Sequence, residues 1–242
     1  MIAVQLCGGL GNQMFQYAAG KAVASGLGTD IEIDIRDCLN NPNRPYHLWR
    51  FHITPELLTT NWLSRKLMRV SGLVMREKSF EYDPSIQNCK DWSYLVGYFQ
   101  SEKYFKSIEP EIRKIFSNGE KVYGDENSVA VHVRRGDYVG NGTHRVLPVA
   151  YYRAAMGVIE SEVDNPQYYI FSDDPRWATG NDAFSDLMTM TRCKHHIIAN
   201  SSLSWWGAWL CEYPDKKVIA PKEWFADGRS TKDLIPDGWV RV

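Results

Sequence analysis

Apolar runs and stretches of helical spacing alternate along the chain. Ile2 to Leu6 is a short apolar run that stops at Gly8-Gly-Leu-Gly-Asn-Gln13, after which Met14, Phe15, Tyr17, Ala18, Ala22 and Val23 recur with the period of a helix. Strands are expected at 31–35, 94–98, 128–133, 168–171, 196–199 and 218–220, and helices at 62–74, 101–116 (broken at Pro110), 148–163, 184–192 and from the Asn200–Ser204 cap through Leu210. Strands alternating with helices imply mainly parallel sheets. The polar, glycine-bearing stretch 118–127 is the best place for a domain link, giving domains at 1–120 and 121–242.

The strand Ser128 to Val133 ends in a charged run, Arg134-Arg-Gly-Asp137. Side chains alternate across a strand, so His132 and Arg134 share one face, while Val131, Val133 and Arg135 share the other. Charges at the end of a buried strand are costly unless they meet a partner. A guanidinium at the carboxyl end of a parallel strand stands where ligands bind, and its paired donors suit a diphosphate. A structural Arg–Asp ion pair is the competing reading. Two more strands end in polar groups, Ser172-Asp173-Asp174 and Asn200-Ser201-Ser202. Parallel strands would bring all three ends to one crevice, where helix N–H groups near Ser201 and Ser202 could hold phosphate and a carboxylate could accept from a guanine. A metal held by Asp173 and Asp174 is the minor reading, because adjacent residues leaving a strand diverge.

The first glycine loop is a weaker signal. Gly9, Gly11, Asn12 and Gln13 follow a strand and open a helix, an arrangement that binds anions through backbone N–H groups. Met14 stands where the dinucleotide fingerprint needs its third glycine, and a tight turn without a ligand explains the loop equally well. A phosphoryl transferase is excluded: no Gly-Lys-Ser/Thr follows Gly11, and Lys21 lies too far along the helix.

Composition narrows the field. The 242 residues carry a formal net charge of -1, so no global field points to nucleic acid. Five scattered cysteines form no Cys-x-x-Cys pair, which favours a reducing compartment over a disulfide framework. No leader peptide or spanning segment is expected. Arg65, Lys66 and Arg69 lie off the apolar stripe of the 62–74 helix; an ordinary surface helix is the main reading and a patch for an anionic membrane the alternative. Nine tryptophans and thirteen tyrosines supply either core or platforms for sugar rings.

Six segments together resemble the bacterial-type α-1,2-fucosyltransferases (glycosyltransferase family 11), relatives of the α-1,6-fucosyltransferases. They are Gly8-Gly-Leu-Gly-Asn-Gln-Met-Phe-Gln-Tyr17, Gly97-Tyr-Phe-Gln-Ser-Glu-Lys-Tyr-Phe105, His132-Val-Arg-Arg-Gly-Asp-Tyr138, Tyr169-Ile-Phe-Ser-Asp-Asp174, Cys193-Lys-His-His-Ile-Ile-Ala-Asn-Ser-Ser-Leu-Ser-Trp-Trp-Gly-Ala-Trp209 and Ile219-Ala-Pro-Lys-Glu-Trp-Phe225. The resemblance implies an α/β GT-B-like fold of two facing Rossmann-like domains with parallel sheets, acceptor side first and donor side second. It implies a galactoside α-1,2-fucosyltransferase with GDP-fucose as donor, a galactose-terminated glycan as acceptor, no cofactor and no metal, working in the cytoplasm with peripheral contact at the inner membrane face. By the same resemblance Arg134 would hold the β-phosphate, helped by Asn200, Ser201, Ser202 and the loop of Gly9, Gly11, Asn12 and Gln13. His132 and one of Asp173 and Asp174 would hold the guanine. Asp137 and His144 are the candidates for the base, and Arg135 is expected to be structural, paired with Asp137. A relative that binds glycans or nucleotide sugars with little turnover, or that makes another linkage, is the alternative. The sequence departs from the pattern between Trp177 and Asp186, where it is short. It also has Gly142 where the α-1,6 relatives carry a glutamate base.

Overall fold

The computed structural model describes residues 1–55, 73–117, 124–177 and 182–242. The chain divides into two compact units, Met1–Ser117 with Ser230–Leu234, and Asn118–Arg229 with Ile235–Val242. The return of residues 230–234 to the first unit departs from the simple division at 120. Asp233 explains it: its carboxylate accepts from the Tyr82 backbone N–H at 2.9 Å and pairs with Lys103 at 2.5 Å.

The first unit is built on four parallel strands, β1 (Ile2–Gln5), β2 (Ile31–Asp34), β3 (Val74–Arg76) and β4 (Tyr94–Val96), in the order β2-β1-β4-β3. Helix α1 (Leu10–Leu27) crosses from β1 to β2 and ends at Gly28, whose φ of +63° is the left-handed closing conformation that glycine adopts without strain. Pro110 does not break a long helix after 101. Two single 3-10 turns, Glu102–Tyr104 and Lys106–Ile108, precede α2 (Glu109–Phe116), and Pro110 lies in its first turn, where a missing N–H costs nothing. Most of the helix expected at 62–74 lies outside the described residues; Val74 itself opens β3.

The second unit has five parallel strands. They are β5 (Ser128–Val133), β6 (Gln167–Ser172), β7 (His195–Ile197), β8 (Val218–Ala220) and β9 (Val240–Arg241), in the order β6-β5-β7-β8-β9. Helices α3 (Val149–Glu160), α4 (Ala183–Met190) and α5 (Ser202–Leu210) link β5 to β8. The valine alternation of β5 is explained by burial on both faces. Val129, Val131 and Val133 pack on Tyr151, Tyr152, Ala155 and Ile159 of α3, while Ala130 meets Phe171, Met190 and Cys193. α5 is apolar on all sides because it is almost wholly buried, with Trp205, Trp206 and Trp209 in mutual ring contact. Gly207 lets α5 approach α4: a Cβ there would stand 3.0 Å from the Cβ of Met190. The two-residue β9 had no sequence signal. All five cysteines are free thiols. No helix of the described residues is long and apolar enough to cross a membrane.

Candidate functional site

The register of the second sheet assembles the site. β5 and β6 pair from Ser128 opposite Gln167 through to Val133 opposite Ser172. Continued by one and two residues, that register sets Arg134 against Asp173 and Arg135 against Asp174. The side chains follow it: Arg134 Nη1 is 3.1 Å from Asp173 Oδ2, and Arg135 Nε is 3.0 Å from Asp174 Oδ2. Because alternate residues point to opposite faces, the two aspartates diverge. Asp173 stays a quarter exposed, at 24%, while Asp174 is at 7%.

Asp174 is a brace. It accepts from Arg176 Nε at 2.9 Å and Nη2 at 2.7 Å, besides Arg135. Hydrogen bonds from Arg176 hold its carboxyl far below the usual carboxylate range, against an opposing push from burial, and Arg135 adds to them. Asp173 instead holds the turn, accepting the Arg135 backbone N–H at 2.8 Å. Its carboxylate fills the space a side chain at Gly136 would need, which explains a glycine there.

The 3-10 turn Gly136–Tyr138 folds Asp137 back over the strand end, and its Oδ1 lies 2.6 Å from Arg134 Nη2. The expected Arg135–Asp137 pair is therefore not the one formed. A turn of this pitch brings residues three apart together, which selects Arg134 for Asp137 and leaves Arg135 to Asp174 and to the Trp177 ring, 5.5 Å away. Tyr138 fixes the turn from the other side. Arg134 Cζ is 5.4 Å from its ring centroid, and its hydroxyl donates to the Asn200 carbonyl at 2.9 Å. The imidazole of His144 stacks on the same ring at 4.7 Å and meets Phe225 at 5.4 Å. Burial lowers the pKa of His144, with Asp137 pulling the other way, so the ring is neutral near pH 7. Its Nδ1 is buried without a hydrogen-bond partner among the described residues.

His132 lies deeper, 3% exposed on the face of β5 that carries Ala130. Burial, with the neighbouring Arg134 second, pushes its pKa down to about 3. Any contact it makes with a ligand is that of a neutral ring, and its Nδ1 has no hydrogen-bond partner among the described residues. Asn200 is also buried. Its Nδ2 donates to the carbonyls of Arg145 at 3.1 Å and Trp224 at 3.0 Å, which ties two loops to the end of β7. Ser201 precedes α5 in an extended conformation and its hydroxyl makes no capping hydrogen bond. The opening N–H groups of α5 thus start beside Ser201 and Ser202 with no side-chain cap over them, the usual form of an anion-binding helix start.

In the first unit the glycine loop is held from within. Gly8 has a φ of +75°, and the Gly9 carbonyl accepts from Asn12 and Gln13 N–H groups at 3.0 and 3.1 Å. Gln13 is fully buried. It donates to the carbonyls of Gly8 and Pro45 and accepts the His47 N–H, so its amide shapes the loop. Gly11 is buried at the start of α1, Asn12 accepts from Gln100 at 2.8 Å, and a side chain at Gly9 would meet nothing closer than Arg44 Nη1 at 3.9 Å. Gly9 and Asn12 are the loop members with an open side.

Sequence reasoning gave no role to Tyr138, Arg176 or Trp177. Arg176 carried a signal, a cation two residues beyond a strand-end aspartate. Tyr138 carried none, since its role depends on the end of β7. Among the described residues no group of three or more His, Cys, Asp or Glu is placed to hold a metal ion.

Comparison with known proteins accords with the sequence resemblance. The chain is 31% identical to an alpha-1,2-colitosyltransferase of Escherichia coli, over all of this chain and 99% of that protein. It is 30% identical to the O-antigen biosynthesis glycosyltransferase WbnK of Escherichia coli, over 98% and 99% of the two. The first alignment runs to 286 positions against 242 residues in this chain, so the chain is the shorter of the pair. Among solved structures, the fucosyltransferase NodZ from Bradyrhizobium matches with a TM-score of 0.38 at 12% identity, over 85% of this chain and 91% of that one, too slight a likeness to bear on the assignment. The sequence model of the family described as Glycosyl transferase family 11 matches residues 1–242, and the chain belongs to that family.

Proposed function

We propose that the protein transfers L-fucose from GDP-β-L-fucose to the 2-hydroxyl of a terminal galactose, with inversion and without a metal. The observation that carries this reading is Arg134. Its guanidinium stands at the carboxyl edge of the second sheet, on the end of β5 between β6 and β7, with Asp173 and Asp137 at its sides. Donors in that position match a leaving diphosphate, whose charge grows as the sugar bond breaks. Arg134 and the opening N–H groups of α5 then stabilise the transition state more than the ground state. Loss of one such donor typically costs on the order of 3 kcal/mol, about a hundredfold in rate.

Arg134 is paired with two carboxylates, Asp137 and Asp173. A diphosphate arriving there competes with Asp137 for the guanidinium, and the displaced Asp137 is then free to accept the proton of the acceptor hydroxyl. His144, neutral and stacked on Tyr138, is the second candidate for that proton. His132 and Asp173 are assigned to the guanine, Asp173 rather than Asp174 because Asp174 is taken by two arginines.

A second donor follows from the colitosyltransferase relative. Colitose is fucose without its 3-hydroxyl, so the same diphosphate machinery serves either sugar. The test is acceptor-dependent GDP release with GDP-linked fucose and colitose, lactose as acceptor and a chelator present, followed by linkage analysis. Transfer of either sugar to the galactose 2-hydroxyl is the expected result. GDP release that needs a metal, or a product of another linkage, contradicts it.

A further inference from the structure

The carboxyl edge of the first sheet holds a built feature that the donor reading leaves unused. In the order β2-β1-β4-β3 the carboxyl ends of β1 and β4 are neighbours, and ligands of open α/β sheets bind beyond the carboxyl ends of the strands. β4 runs there into Gly97-Tyr98-Phe99-Gln100. Two N–H groups of this turn, those of Tyr98 and Phe99, donate to the Glu77 carboxylate at 2.7 and 3.0 Å. Glu77 also fills the space a Cβ at Gly97 would occupy. Phe99 is held at a φ of +52°, an unfavourable conformation for a bulky side chain and one that recurs where a backbone must present a group to a ligand. The turn is fastened to the glycine loop twice. The fully buried Gln16 accepts the Cys7 N–H at 2.9 Å and donates to the Gly97 carbonyl at 3.1 Å, and Gln100 donates to Asn12.

All of this fixes one exposed side chain. Tyr98 is 37% exposed, and its ring lies nearly parallel to Phe80 (5.9 Å between centroids, 12° between planes). Packing alone does not call for a strained, doubly fastened turn that leaves its aromatic residue more than a third exposed. A rigid aromatic ring backed by a second one is a flat apolar surface with little conformational freedom left to lose on binding. Galactose, whose axial 4-hydroxyl leaves the C–H groups of C3, C4 and C5 together on one face, is the sugar such a surface suits.

We propose that Tyr98, backed by Phe80 and held by the Gly97–Gln100 turn, is the platform on which the acceptor's terminal galactose stacks. This rests on the glycosyl-transfer reading, and its test separates the two. Tyr98→Ala is expected to raise the KM for lactose roughly five- to tenfold, the range of a single ring contact. GDP affinity and acceptor-independent hydrolysis of GDP-fucose should stay unchanged. Tyr98→Trp, which keeps a flat face, should stay near the wild-type KM. Should Tyr98→Ala melt early, Tyr98→Leu keeps the apolar cover without the flat face and carries the same expectation. Saturation transfer from protein aromatic protons to the C–H groups of lactose reads the contact without turnover; it is expected in the wild type and lost in the alanine and leucine variants. An unaltered lactose KM and unaltered saturation transfer in a folded Tyr98→Ala protein overturn the platform and leave the donor assignment standing. A wild type that shows the transfer but binds no GDP keeps the platform and removes the transferase.

Discussion

At the scale of single residues, two neighbouring aspartates with one chemistry have been given different work by their place in the register. Asp174→Asn removes the charged partner of Arg135 and Arg176 and should lower Tm with a smaller effect on GDP affinity; Asp173→Asn, which keeps an oxygen for the Arg135 N–H, should weaken GDP binding with a smaller change in Tm. Calorimetry with GDP and thermal melts on both variants check this, and equal loss of affinity at unchanged melting in both would contradict it. His132 gives a pH signature. Its folded pKa lies below the ordinary histidine value, so the unfolded chain takes the proton first. Its contribution is intact above pH 6.5 and is lost progressively as pH falls toward 3. Between pH 6.5 and 5 the loss is about 2 kcal/mol. Denaturant titrations should therefore show a shallower acid slope for His132→Gln than for the wild type, and part of the slope should survive, because His196 is buried and shifted the same way. Parallel slopes in the two proteins would show that His132 is not buried as a neutral ring.

At the scale of elements, the strands and helices were largely legible because each is short and sharply punctuated. The valine alternation of β5, the glycine stops and the Asn200–Ser204 cap all have local causes. The parity of β5 set His132 with Arg134, and the structure pairs Arg134 and Arg135 with different aspartates, as alternation requires. The partner of Asp137 was not legible, because a 3-10 turn and an extended continuation were equally compatible with Gly136. Nor was Tyr138 as a clamp, since its hydrogen bond spans from residue 138 to the Asn200 carbonyl, a pairing that exists only after β5 and β7 lie side by side. Pro110 was misread because a proline at a helix start and one in its interior look alike when the start is preceded by two 3-10 turns. The turn after β5 supplies its own prediction. Gly136→Ala drives a methyl into the Asp173 carboxylate and must push it from Arg134 and from the Arg135 N–H. A loss of about 1–3 kcal/mol in stability is expected, with weakened GDP binding. Thermal melts and GDP calorimetry read both, and a variant unaltered in each would mean that the Asp173 contact does not organise the turn.

At the scale of the whole molecule, two parallel sheets in two units each end in a polar edge, and the proposed reaction assigns a different part to each. The second unit carries the arginines, carboxylates and uncapped helix start suited to a nucleotide diphosphate; the first carries the glycine loop and the Tyr98 turn. The family was legible because its motifs lie at strand ends in a fixed order along the chain. The donor sugar of the proposed reaction was not, since fucose and colitose differ at a hydroxyl that no strand-end motif identifies. The most direct test of the central claim is acceptor-dependent GDP release by Arg134→Ala, with GDP-fucose and lactose saturating and the fold checked by thermal melting. The account predicts a loss of roughly a hundredfold or more in a folded protein, with Arg134→Lys recovering little because an ammonium cannot reproduce a forked contact. Turnover at the wild-type rate in a folded Arg134→Ala protein would contradict the account.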